Sequence, residues 1–336
     1  MRSMAFQRYA FFLSLCLLEC YGFLENPNNP QTPLSFMVLG DWGGLPFFPY
    51  TTPVQTAVRD QMVTYALQHH PRFVVSLGDN FYLYGVENAD DTRFNLTFEE
   101  VYSDPSLHIP WYVTAGNHDH YGNVTAQIEY SKISNRWKFP DYYQKITSHA
   151  PGGRSVDVIL IDTIVLCGNV YDSHVPPVGP ADSGAAAAQW AWLEESLKQS
   201  RADYIVVGGH YPVYSVGDHG PSACLRRQLE PLLHTYRVSA YIAGHDHNLQ
   251  HIQMARNSSS VTNNAMDYFI VGSGNFVDAR RLHFDDIPET QVKLFFGELL
   301  HFGGFACFEV SGDTMTVKMI DGLGNLLYQY PIHPRK

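Results

Sequence analysis

Five apolar, strand-like runs in this chain each stop at a glycine and pass directly into a polar cluster of metal-ligating residue types. FMVLG leads to Asp41, FVVSLG to Asp79 and Tyr82, WYVTAG to Asn117 and His118, YIVVGG to His210, and AYIAG to His245 and His247. Each run has the length of a buried parallel strand, and glycine at its end lets the chain turn sharply. In an open α/β sheet the carboxyl ends of the strands gather at one edge, where ligands bind. If the five runs are neighbouring strands, their side chains converge on one pocket. Such a pocket holds enough ligands for two metal ions and points to hydrolytic chemistry.

The segments between these runs fit the same α/β scheme. Residues 53–70 start with proline and space their apolar side chains helically, so a helix is expected there between strands 34–39 and 73–77. Further helices are expected over 92–104, 185–199 and 224–236, and further strands over 109–114, 155–162, 204–208, 240–243 and 268–272. Antiparallel strands at 305–310, 314–320 and 326–331 follow, with turns at Ser311–Gly312 and Gly322–Asn325. Residues 168–184 carry Gly, Pro and Asp without a period, which reads as an exposed loop, either a plain connector or a regulatory lid. No linker divides the chain. The fold class expected is α/β, a four-layer sandwich of two packed mixed β-sheets flanked by helices, formed by one domain over residues 23–336.

Residues 1–22 read as a secretory signal. Arg2 and Arg8 give a basic start, residues 10–18 are apolar, and Cys20 and Gly22 suit the cleavage positions. That apolar run is less than half the length a membrane anchor needs. The net charge of −11 argues against nucleic acid and against docking on an anionic membrane. After the signal, Cys167, Cys224 and Cys307 remain, an odd number that in an oxidising compartment suggests one disulfide and one buried thiol. Cys307 sits in the strand-like FACFEV and reads as a core residue, whereas Cys167 and Cys224 each follow or precede a loop, so those two are expected to pair. Sequons at Asn95, Asn123 and Asn257 fit an exported glycoprotein.

Singly, these motifs have ordinary readings. Asp41 could cap a helix or turn, His210 could be a hydrogen-bonded core histidine, and the Asn117 tetrapeptide could be a turn. Five such accidents in one order, each after an apolar run, are a poor account of the pattern. The motifs GDWGG, GDNFY, GNHDH, GGHYP and AGHDHN resemble those of the calcineurin-like metallophosphoesterase superfamily. Tyr82, three residues after Asp79, narrows the resemblance to the purple acid phosphatases, and most closely to their small animal type, from about Leu34 to the end of the chain.

That resemblance implies the metallophosphoesterase fold and a binuclear Fe(III)–M(II) centre. Asp41, Asp79, Tyr82 and His247 would hold the ferric ion. Asp79 would also reach a divalent iron, zinc or manganese ion completed by Asn117, His210 and His245. Phenolate and carboxylate oxygens suit a hard trivalent cation. The implied activity is hydrolysis of phosphate monoesters, small molecules or phosphoproteins, by direct attack of a metal-bound hydroxide. His118 and His219 would face the substrate as imidazolium donors; for His219 the alternative is a surface loop residue. Because ordinary histidine is charged only at or below about pH 6.5, an acidic optimum is expected. Asp119 and Asp246 are expected to orient ligand or catalytic histidines. The resemblance also pairs Cys167 with Cys224, and it places 168–184 where the animal enzymes carry a repressive loop, in a Pro- and Ala-rich form that departs from their pattern. A monomer in the secretory pathway, lysosomal or secreted, is expected. The alternatives are an exported iron-binding glycoprotein, which has no use for substrate-facing donors, and a phosphodiesterase of the same superfamily, which Tyr82 disfavours.

Overall fold

The structure is a computed structural model that describes residues 33–170, 177–255 and 265–335. The expected signal sequence, the sequon at Asn257 and residues 171–176 of the 168–184 segment lie outside the described residues. In chain order the strands are β1 (Leu34–Leu39), β2 (Val74–Ser76), β3 (Trp111–Val113), β4 (Trp137–Lys138), β5 (Gln144–His149), β6 (Ser155–Leu160) and β7 (Tyr204–Gly209). They continue with β8 (Ala240–Ala243), β9 (Leu249–Ala255), β10 (Ala265–Val271), β11 (Val292–Phe296), β12 (Gly304–Ser311), β13 (Thr314–Asp321) and β14 (Leu326–Ile332). The helices are α1 (Pro53–His69), α2 (Val124–Tyr130), α3 (Thr163–Cys167), α4 (Ser183–Gln199) and α5 (Ala223–Thr235).

Two seven-stranded mixed sheets result, ordered β14-β13-β12-β1-β2-β3-β4 and β11-β9-β10-β8-β7-β6-β5. Phe36, Val38, Val75 and Leu77 of the first meet Val158, Leu160, Val206, Ile242 and Phe269 of the second in the central core. The alternate residues face outward but are buried too. Met37, Leu39 and Val74 pack under Val58 and Met62 of α1, and Ile159, Ile205 and Val207 pack under Leu193 and Leu197 of α4 and Leu225 and Leu229 of α5. Helix, sheet, sheet and helix form four layers. A strand covered on both faces needs apolar residues throughout, which is why these runs are continuous rather than alternating.

Local signals fix the helix starts. The Thr52 hydroxyl accepts from Gln55 N at 3.1 Å ahead of Pro53, and the Asp182 carboxylate accepts from Gly184 N and Ala185 N at 2.8 and 3.0 Å. Three expectations are corrected. The five site-bearing strands are not neighbours in one sheet: β1, β2 and β3 are parallel neighbours in the first sheet, and β7 and β8 in the second. The helix expected over 92–104 is present but shorter and wider, a π-helix at Phe94–Glu99, with Glu100 N bonded to Asn95 O and the Thr97 carbonyl taken by the Gln55 side chain at 3.1 Å. Strands β4, β5, β9 and β11 were not expected. In β9 the reason is clear, because His251 is wholly buried yet satisfied by Asp267 at 3.0 Å and the Tyr328 hydroxyl at 2.7 Å.

Candidate metal centre

The carboxyl ends of β1, β2 and β3 meet those of β7 and β8 at one edge of the sandwich, and five loops deliver the polar side chains there. Asp41 and Asp79 both adopt left-handed backbone (φ 58° and 52°), a conformation that short polar side chains tolerate. Behind Asp41, Trp42 donates to Ser76 Oγ at 2.7 Å and is ringed by Phe81, Phe98, Tyr102, Trp111 and Trp137. The second and third loops touch backbone to backbone. A Cβ on Gly116 would lie 2.2 Å from Asp79 Oδ1, and one on Gly78 2.5 Å from Gly116 N. Arg93, itself buried, clamps the first two loops by donating to the carbonyls of Tyr82 and Gly43, both at 2.6 Å.

Two groups of side chains form around Asp79. On one side the Tyr82 hydroxyl lies 3.1 Å from Asp41 Oδ1 and 3.0 Å from His247 Nε2. On the other, His210 Nε2 lies 2.8 Å from Asn117 Oδ1 and 3.5 Å from Asp79 Oδ1, its ring fixed by Nδ1 donating to Leu77 O. Oxygen and nitrogen atoms of Asp41, Asp79 and His210 all fall within 4.8 Å of one another. His245 has its backbone N on Asp41 Oδ2 at 2.8 Å and its ring centroid 5.0 Å from that of His210. All seven residues expected as ligands are therefore brought together. His118 and His219 border them: His118 Nε2 is 4.0 Å from Asp79 Oδ2, and the His219 ring stacks on His245 at 4.0 Å.

The donor set fits cations. Among the described residues neither Asp41 nor Asp79 has a lysine or arginine partner; their ion-pair partners are histidines. Burial, with Asp79 as neighbour, pushes the Asp41 carboxyl well above the usual range. Burial and the same two carboxylates push the Tyr82 phenol up. Burial drives His210 and His245 down, and His247 to about 4. Asp79, although buried, is held below its ordinary range by His210 and His118, whereas Asp41 and Tyr82 on the one hand and the three imidazoles on the other are biased toward neutrality. A bound cation reverses the first bias and uses the second, because only neutral imidazole is a ligand.

The two further acids act mainly through backbone groups, and Asp246 does hold a candidate catalytic histidine, His219. Asp119 orients no histidine: it accepts from Gly116 N, Asn80 N and Gln127 Nε2, locking the second loop to the third. Asp246 accepts from Ser215 Oγ and from His219 N at 2.9 Å, so it holds the backbone of the His219 loop. Sequence reading also missed Arg93, Phe276 and the Ser215–Gln250–Asn248 network. Phe276 packs on both Tyr82 and His247, with ring centroids 5.0 and 5.5 Å away. Arg93 left one signal, a lone arginine between the acids Asp90 and Asp91 and the acids Glu99 and Glu100.

The disulfide expected between Cys167 and Cys224 is present, with Cα atoms 5.9 Å apart, and Cys307 is a buried free thiol. Asn95 and Asn123 are exposed.

Comparison with known proteins agrees with this geometry. The profile of the calcineurin-like phosphoesterase family matches residues 34–249. The chain is 42% identical to tartrate-resistant acid phosphatase type 5 of Sus scrofa, covering 96% of this chain and 94% of that one. It is 44% identical to the Homo sapiens protein of the same name over 88% and 90% of the two chains. Among solved structures, GAP50, described as the anchor in the inner membrane complex of Plasmodium, superposes with a TM-score of 0.75 at 25% identity over 91% of this chain and 90% of that one. Purple acid phosphatase PPD1 from Lupinus luteus seeds shares the fold, with a TM-score of 0.64 at 14% identity over 91% of this chain and 55% of its own. Motifs, fold and relatives agree that this chain belongs to the calcineurin-like phosphoesterases, and within them to the tartrate-resistant purple acid phosphatases.

Proposed function

We propose that this protein is an acid phosphatase that hydrolyses phosphate monoesters, small molecules or phosphoproteins, at a centre built for two metal ions. Asp41, Asp79, Tyr82 and His247 would hold a ferric ion; Asp79, Asn117, His210 and His245 would hold a divalent iron, zinc or manganese ion. When bound, the two ions supply Lewis acidity toward phosphoryl oxygens and make water acidic enough to serve as the nucleophile.

The chain's own residues do the rest. His118 Nδ1 donates to Leu83 O at 2.7 Å, which fixes the tautomer and turns Nε2 toward Asp79, where a protonated ring donates to a phosphate oxygen. His219, held through its backbone by Asp246, is the group assigned to protonate the departing alcohol oxygen. Phe276 packs against the rings of Tyr82 and His247 and helps hold them in place. Export to the lysosome or out of the cell fits the leader expected from sequence at 1–22, the Cys167–Cys224 disulfide and the exposed sequons at Asn95 and Asn123. Among the described residues no helix is long and apolar enough to cross a membrane. The reading is of a monomer.

The observation that carries this reading is the Tyr82 hydroxyl, buried within 3.1 Å of Asp41 and 3.0 Å of His247. Ferric loading should give a phenolate-to-iron charge-transfer band in the visible spectrum, lost in Tyr82→Phe. Turnover of p-nitrophenyl phosphate should accompany it. A coloured protein without turnover would be an iron carrier, and one preferring the bis(aryl) diester would be a phosphodiesterase.

A further inference from the structure

The segment from Asp278 to His283 runs as a strap across the outside of the His219 loop and ties it to the His247 loop. At one end Asp278 N donates to His247 O at 2.7 Å, and Asn248 Nδ2 reaches Asp278 O at 3.4 Å. At the other end His283 N donates to Val216 O at 3.3 Å, and the His283 ring lies so close to Gly220 that a Cβ there would sit 2.4 Å from it. Arg281 anchors the strap over the Phe295 ring at 4.2 Å. Between these contacts the Arg280 guanidinium spans two carboxylates, with Nη2 2.8 Å from Asp218 Oδ2 and Nε 2.9 Å from Asp278 Oδ2.

Asp218 is the residue before His219, and it is buried. Its Oδ1 has no hydrogen-bond partner among the described residues, and Arg280 is its one cationic partner there. Arg280 is more than half exposed, so the pair itself contributes little, but without it the buried Asp218 carboxylate has no cationic partner among the described residues. Without Arg280, Asp218 gains by turning out to water, and the adjoining His219 turns with it. We propose that Arg280 is a positioning residue that fixes His219 over the leaving-group oxygen by clamping Asp218 to Asp278. This rests on the reading of His219 as the proton donor to the leaving group.

The experiment exploits leaving groups. An alkyl alkoxide needs a proton as it departs, whereas p-nitrophenolate hardly does. Arg280→Ala should lower kcat on a simple alkyl phosphate about tenfold and on p-nitrophenyl phosphate less than about twofold, with KM little changed. Arg280→Lys, whose single ammonium reaches one carboxylate at a time, should fall between wild type and Arg280→Ala. It decides the question alone if the alanine variant does not fold. Equal losses on both substrates, or none, overturn the proposal. His219→Ala measured alongside separates the two ideas. If it discriminates between the substrates and Arg280→Ala does not, only the strap fails; if His219→Ala does not discriminate, the assignment of His219 as donor fails and the strap falls with it.

Discussion

The two ends of the sandwich treat buried carboxylates in opposite ways. At the amino end of the second sheet, Asp157 meets Lys145 at 2.8 Å and the hydroxyls of Thr147 and Ser200, both at 2.6 Å. Asp203 there, only partly buried, receives Arg154 at 2.6 Å and Ser155 N at 2.8 Å. Burial raises the pKa of each, but the partners win and both carboxyls stay below their ordinary range. At the carboxyl edge Asp41 has no lysine or arginine partner among the described residues and burial wins, while Asp79 beside it is held down by histidines alone. The protein supplies compensating charge where it needs stability and withholds it where a ligand is to supply it. Buried charge without compensation is a physical mark of a functional site.

The sharpest test of that contrast is removal of the metal. If cations are what the carboxyl edge lacks, stripping them by reduction and chelation should lower the unfolding free energy by more than about 4 kcal/mol, the linkage expected when ligand exceeds its dissociation constant a thousandfold. Calorimetry of loaded and stripped protein measures this, and identical melting temperatures would refute the contrast. Trp42→Ala should follow, at about 4 kcal/mol, because it empties the centre of an aromatic cluster. It should also lower bound iron per chain, since Asp41 is the neighbouring residue; full iron content would show that the aromatic backing does not hold the first loop.

The same contrast explains what could be read from sequence. The strands that carry the site are buried on both faces, so their composition is continuous and unmistakable, and a glycine followed by a ligand residue marks each carboxyl end. Asp41, Asp79, Tyr82, Asn117, His210, His245 and His247 were legible because their residue types already state a chemistry. Arg93, Arg280 and Gln250 were not, because each acquires its role by joining a residue nearby in sequence to a partner dozens of residues away. Strands β5 and β9 hid for a related reason: Gln144 and His251 are buried, but only the folded structure supplies the carbonyls, Asp267 and Tyr328 that satisfy them. The expectation for Asp119 failed because proximity in sequence to His118 stood in for contact; its oxygens are spent on backbone and amide donors.

The second sheet's contribution to the metal edge is also tied covalently. Cys167 ends α3 and Cys224 opens α5, closing a loop of sequence separation 57 that contains His210 and His219. Replacing both cysteines with serine should cost about 3 kcal/mol, mainly by freeing the unfolded chain. Spectral signs of tyrosine ligation should survive, because Tyr82, Asp41 and Asp79 belong to the first sheet's loops. Loss of colour in a variant that remains folded would mean that the two halves of the centre are not independently held.

The smallest effect has the most specific sign. Asp157 has a depressed pKa in the folded protein, so its contribution is complete above the ordinary carboxylate value near ~3.9 and is lost as pH falls through the folded value. Asp157→Asn should therefore cost about 1 kcal/mol at neutral pH and progressively less in acid. Asp41 is the inverse. With its folded pKa raised, the metal-free protein loses stability as pH rises above the ordinary carboxylate value, because ionising the unfolded chain becomes the easier course. Asp41→Asn keeps the shape and removes that loss, so the metal-free variant should be more stable than the metal-free parent at pH 7, by about 1 kcal/mol, while binding no ferric ion. Denaturant titrations of both pairs at pH 4 and pH 7 decide the matter. If both asparagine variants move stability in the same direction at pH 7, the two ends of the sandwich do not differ in the way their carboxylates are compensated.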